Sequence, residues 1–234
     1  MRIPKEQRVV HPPTVMKASR RFGMYKKENE KKVRNVDIVK DEVIENIKKI
    51  WIEAGDKSCF AIYLAWEGYY RSVIYALDFP KSRDYSPKDV EKFCLLLSEF
   101  QNERDFTAKA GLFLSALINN RNSTEYVLHT SHFPEPLCCI GYRNKKRIIV
   151  NGDVGDFVGN YMEGGMIVVE GNADKWAGSD MKDGIIKIKG RARECVGRLM
   201  QGGEIRVDGG EYVSPDEDIF KGRIYHKGKL IVDK

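Results

Sequence analysis

The sequence is sparing with the residues that most often carry chemistry. It holds four histidines and five cysteines in 234 residues, and no two cysteines stand in a C-x-x-C pair, which excludes zinc-ribbon and thioredoxin-type arrangements. Cys59, Cys94, Cys138, Cys139 and Cys195 are odd in number and mostly set in apolar runs such as "FCLLL". That is the pattern of reduced, buried thiols and not of a secreted disulfide framework. No apolar run approaches the roughly 18 residues of a membrane span, and the opening "MRIPKEQRVVHPP" has no apolar signal core. A cytoplasmic chain without a membrane partner is therefore expected. The phosphate-cradling patterns G-x-G-x-x-G and G-x-x-x-x-G-K-S/T are missing, as is the G-x-S-x-G of a strained nucleophile turn. No cofactor is expected.

Charge is abundant but unevenly placed. Charged residues make up 32% of the chain and apolar residues 42%, a mix that still permits a buried core. Residues 1–36 hold eleven Lys or Arg against three Glu, a net of +8, whereas the whole chain carries +6. The basicity thus belongs to an arm that also contains Pro4, Pro12 and Pro13. No groove-reading motif accompanies it, so a solvated or partner-ordered tail is expected and nucleic-acid recognition is not.

Residues 37–146 read as an α+β domain. Val39, Val43, Ile44, Ile47, Ile50 and Trp51 recur at helical spacing between Asp37, an N-cap, and Gly55, a stop. "FAIYLAWEGYYRSVIYALDF" at 60–79 alternates and turns at "EG", which favours a hairpin, with a buried helix as the alternative. "SPKDVEKFCLLLSEF" opens with Ser86 as cap and Pro87 at the first helical position, with Val90, Phe93, Leu97 and Phe100 on one face. A second helix is predicted from about Asp105 to Asn119, and "TEYVLHT" and "LCCIGY" read as short strands leading to the last third.

That last third repeats. "GDVGDFVGNYMEGGMIVVE", "GNADKWAGSDMKDGIIKIK" and "GRARECVGRLMQGGEIRVD" follow one another at nineteen residues without a gap. Gly152, Gly171, Gly190 and Gly209 share one register, Gly159, Gly178 and Gly197 a second, and Gly165, Gly184 and Gly203 a third. Met162, Met181 and Met200 form a fourth column. Before each first glycine the chain alternates, as in Ile148/Val150, Ile167/Val169, Ile186/Ile188 and Ile205/Val207, with Asn151, Glu170, Lys189 and Asp208 on the other face. Nineteen residues are too few for a strand and a packed crossover helix, which together need roughly thirty. The chain must coil, each strand stacking on its copy about 4.8 Å away in a parallel β-helix whose glycines turn the corners. The methionines, with Val154, Ala173, Ala192, Val158, Ala177 and Val196, should fill the interior. Gly222 and Gly228 continue two registers, while Asp216 and Ile219 replace a corner glycine and a methionine, so a terminal capping coil is predicted, with His226 at a half-exposed end position.

These columns resemble the GXGXG repeat domain that stands at the C-terminus of the large subunit of glutamate synthase and that forms part of formylmethanofuran dehydrogenase. The likeness is carried by 147–209 and more loosely by 210–232. It implies a short right-handed, single-stranded β-helix over 147–234 that serves as spacer and scaffold, while other domains carry glutaminase, flavin, iron–sulfur or metal chemistry. It further implies assembly, either as a homo-oligomer or as a subunit of a larger redox or amidotransferase complex.

Within the chain, the one constellation of chemical types is "HTSHFPEPLCC", giving His129, His132, Glu135, Cys138 and Cys139. Imidazole, carboxylate and thiolate are metal donors, yet on a strand His129 and His132 face opposite sides, as do adjacent cysteines. A linker between domains is the expected role, with a small metal or enzyme site at the same place as the competing reading. Ser179 stands at a repeat corner without a base beside it, and Asp153 and Asp156 are spaced as turn residues. No catalytic residue is therefore expected.

Overall fold

The computed structural model describes residues 41–56 and 84–234. The basic arm and the hairpin predicted at 60–79 lie outside these residues. The described chain runs through α1 (Glu42–Asp56), α2 (Pro87–Leu96), a 3-10 turn (Leu97–Phe100) and α3 (Phe106–Asn119). Seven strands follow: β1 (Glu125–His129), β2 (Arg147–Asn151), β3 (Glu163–Val169), β4 (Asp183–Ile188), β5 (Glu204–Val207), β6 (Arg223–His226) and β7 (Lys229–Asp233).

Local sequence explains the helices. The α1 helix begins behind Asp41, whose carboxylate accepts from the Ile44 N–H at 3.4 Å, and it buries Ile44, Ile47 and Trp51. Ser86 and Asp89 form the reciprocal capping box of α2, with Pro87 in the first turn. Trp51 gathers the three helices, its ring lying 5.2–6.3 Å from those of Phe93, Phe100, Phe106 and Phe113. Among the described residues before Glu125 the regular elements are helices, and the strands expected there, those of the hairpin, lie outside the described residues.

The strands form one sheet in chain order, β1 to β6 parallel and β7 antiparallel. The predicted nineteen-residue coil is present: Ile148, Ile167, Ile186, Ile205 and Ile224 stack in register, as do Val150, Val169, Ile188 and Val207, every one of them fully buried. Met162, Met181 and Met200 stack in the interior with no exposure. At roughly 1.5–3 kcal/mol for each fully buried apolar side chain, such columns stabilise the coil without a ligand. The glycine registers do two different jobs. Gly178 turns a corner at φ +70°, whereas Gly209 is needed for closeness, since a Cβ there would stand 2.6 Å from the Gly190 carbonyl carbon.

Two boundaries differ from the sequence reading. The stack begins at Glu125 and not at 147, because β1 pairs with β2 from Glu125↔Arg147 to His129↔Asn151. "LCCIGY", read as a strand, is instead a corner. Cys139, Gly141 and Arg143 adopt φ of 59°, 77° and 52°, the same alternation as Phe157, Gly159 and Tyr161 at 64°, 69° and 54°. Asn144 then takes the place of the methionines: Glu163 N–H donates to the Asn144 carbonyl as Lys182 N–H does to Met162. Its buried amide is satisfied by Lys146, through N–H and C=O bonds of 2.9 and 2.7 Å. At the other end Ile219 is buried beneath Met200, as predicted. Gly228, expected to turn another corner, turns a hairpin with Lys227 (φ 76° and 48°), and β7 folds back on β6. Positive φ at two successive residues matches the twist of a tight hairpin.

Candidate functional site

The coil is longest between β1 and the first corner. His129 and Leu137 are eight positions apart, where the equivalent Asn151 and Val154 are three. This insertion carries His132 and Glu135, and together with α2 and α3 it forms the junction where the sequence placed its chemical residues.

The junction disperses them. His129, at the end of β1, points its Nε2 at Glu91 Oε1 of α2 across 2.8 Å, and its Nδ1 lies 3.4 Å from the Asn151 amide. His132 lies against Phe133 with ring centroids 3.9 Å apart and planes tilted by 40°; burial, then the neighbouring His129, holds its imidazole below the usual histidine range. Glu135 is exposed and faces the other way, toward α3. Cys138 and Cys139 pack with Ala108 and Leu112 of α3. Burial raises both thiols, and pushes Cys94 up to about 12, so all three stay protonated and weakly nucleophilic at neutral pH. Among the described residues no three His, Cys, Asp or Glu side chains converge as a metal site.

A cavity of about 500 Å3 opens beside them, lined by Glu103, Asp105, Phe106, Thr107, Pro134 and Glu135 among others. One of its lining residues, Glu103, belongs to a triad that the sequence reading missed. Lys109, nearly fully buried, sets its Nζ 2.7 Å from Glu103 Oε2 and 4.0 Å from the Trp51 ring centroid, and Trp51 Nε1 donates to Glu103 Oε1 at 3.2 Å. The signal was present: Lys109 is the one charge in the apolar helix "FTAKAGLFLSALIN", and a buried lysine requires a partner. Both Glu103 oxygens are thereby engaged in holding α1 to α3. Among the described residues no serine or cysteine is hydrogen-bonded to a histidine ring, so the pairing of nucleophile and base that acyl transfer needs is not formed by them.

The fold defines the chain as a parallel β-solenoid protein with helices at the β1 end of the stack. Compared with protein-family models and with curated proteins, the sequence matches none of either.

Proposed function

We propose that this chain is a non-catalytic scaffold or assembly subunit. Its solenoid is akin to the GXGXG repeat of glutamate synthase and formylmethanofuran dehydrogenase, and mediates oligomerisation or the docking of a partner. The supporting observation is the unbroken interior from Ile148 to Ile224, filled by apolar side chains on every rung. Such a coil supplies a rigid rod with defined ends, and its glycines serve the backbone and not a ligand. In this reading it winds right-handed and acts in the cytoplasm.

Affinity purification of the chain from its native cell, followed by mass spectrometry, tests this. A redox or amidotransferase subunit at constant stoichiometry, or a stable homo-oligomer by light scattering, is the expected result. A monodisperse monomer that brings down no partner sinks the reading. The cavity at the helix–coil junction favours a second reading, a small metal-binding protein or enzyme. Metal analysis of untagged protein decides it: a stoichiometric metal lost in His132→Ala would support that role, and its absence would remove it.

A further inference from the structure

We infer that the last coil is a self-complementary surface on which a second copy of this chain docks about a two-fold axis. This rests on the scaffold reading and names the partner. Along the solenoid, charges are paired with the neighbouring rung, Lys175 with Glu194, Lys189 with Glu170 and Arg193 with Asp174, at 2.9 Å or less. The last rung has no next rung, and its charges are sorted. Residues 210–220 hold four carboxylates, Glu211, Asp216, Glu217 and Asp218, and no lysine or arginine. Residues 221–234 hold five basic side chains and one carboxylate. Apart from Arg223, which reaches Glu204, none of these charges has an ion-pair partner among the described residues.

The apolar side chains are divided in the same way. Of the six large hydrophobic residues exposed among the described residues, four belong to this coil: Tyr212 and Phe220 on the acidic half, Leu230 and Ile231 on the basic half. A two-fold axis between the halves sets acid against base twice and each aromatic pair against the partner's aliphatic pair, the arrangement an isologous contact requires. Assembly stops at two because the opposite end is occupied: α2 packs on β1, with Cys94 Sγ donating to the His129 carbonyl and Glu91 paired to His129. The extra residue in β7 between the partners of Ile224 and Tyr225 interrupts its open edge, so the contact is made through side chains and not by an extended ladder of strands.

Sedimentation equilibrium of the full chain tests this, with circular dichroism to confirm folding. The unaltered chain should be a dimer that weakens as salt rises from about 0.1 to 0.5 M. Glu217→Lys with Asp218→Lys, or Lys221→Glu with Lys229→Glu, should each weaken dimerisation roughly tenfold or more, and an equimolar mixture of the two variants should restore it as a heterodimer. A monomeric unaltered chain overturns the proposal. So does a mixture that stays monomeric. A dimer indifferent to all four substitutions overturns this surface while leaving the scaffold reading standing, since assembly then uses another face; a monomer without partners overturns both.

Discussion

The three gapless coils and the two that flank them share a strand register and a buried interior but not a sequence, and the contrast separates what a β-solenoid requires from what it tolerates. In the gapless coils Met162, Met181 and Met200 fill one position; in the flanking coils Asn144 and Ile219 stand there, equally out of water. The left-handed corner residues are Phe157, Trp176 and Cys195, and in the first coil Cys139, all within 59–64°. The left-handed corner thus recurs over four coils under different side chains, whereas the last coil, with Ser214, Asp216 and Asp218 at the equivalent positions, does without it.

The largest test of this contrast lies in the interior. Met181, packed between Met162 and Met200, should lose about 3 kcal/mol on replacement by alanine, whereas Ile219→Ala, with one neighbouring rung, should lose less, about 2 kcal/mol. Urea unfolding measures both. Equal losses would show that the terminal coil is as tightly held as the central one.

Asn144 sharpens the comparison from the opposite side. Asn144→Met completes the methionine column and should nevertheless destabilise the protein by about 1–3 kcal/mol, because Lys146 would lose both bonds to the buried amide. A neutral or stabilising outcome would mean that the column sets the first coil and the amide merely occupies it.

The difference also explains how far the sequence could be read. The central coils were legible because identical spacing put like residues in phase: glycine, methionine and the Ile/Val pairs announced corner, interior and strand together. The first coil was not, for two physical reasons. A five-residue insertion after His129 and a shortened path from Asn144 to Ile148 throw its columns out of step. In addition, Cys139 and Arg143 adopt left-handed conformations that only a glycine would have advertised. The junction was legible in part. His129 to Cys139 does lie where helices meet coil, but strand alternation sends its side chains to different neighbours. The Trp51–Glu103–Lys109 contact joins residues up to 58 apart, beyond the reach of any local pattern.

Glu163 links the two kinds of coil, reaching Lys145 and Arg143 of the first coil at 2.9 and 3.5 Å and Lys182 of the next rung at 4.0 Å. Lys145, foremost among these, holds its carboxyl below the ordinary value of 4.5. A depressed folded pKa means that the folded state binds fewer protons than the unfolded one. The stability it contributes is therefore present above about pH 4.5 and is lost as pH falls through the lower, folded value. Glu163→Gln should lower stability at neutral pH and flatten the acid limb of an unfolding curve recorded from about pH 6 downward. An unchanged limb would show that the bridge between coils carries no net electrostatic stabilisation.

The smallest effect isolates conformation from contact. Arg143 and Trp176 both hold left-handed φ, at 52° and 59°, which costs a non-glycine residue about 1–2 kcal/mol. The Arg143 side chain is exposed and, among the described residues, tied only by a 3.5 Å ion pair, while its backbone N–H bond to Asn160 survives in glycine, so Arg143→Gly should relieve more strain than it forfeits and stabilise the protein by about 0.5–1 kcal/mol, net of the added freedom of the unfolded chain. Trp176 stacks on Phe157 at 4.7 Å and 14°, a contact that glycine abolishes, so Trp176→Gly should destabilise despite the same relief of strain. Thermal melts of the two variants should thus move in opposite directions. Should both fall, the left-handed corners carry no strain worth relieving, and their recurrence across coils is set by side-chain packing alone.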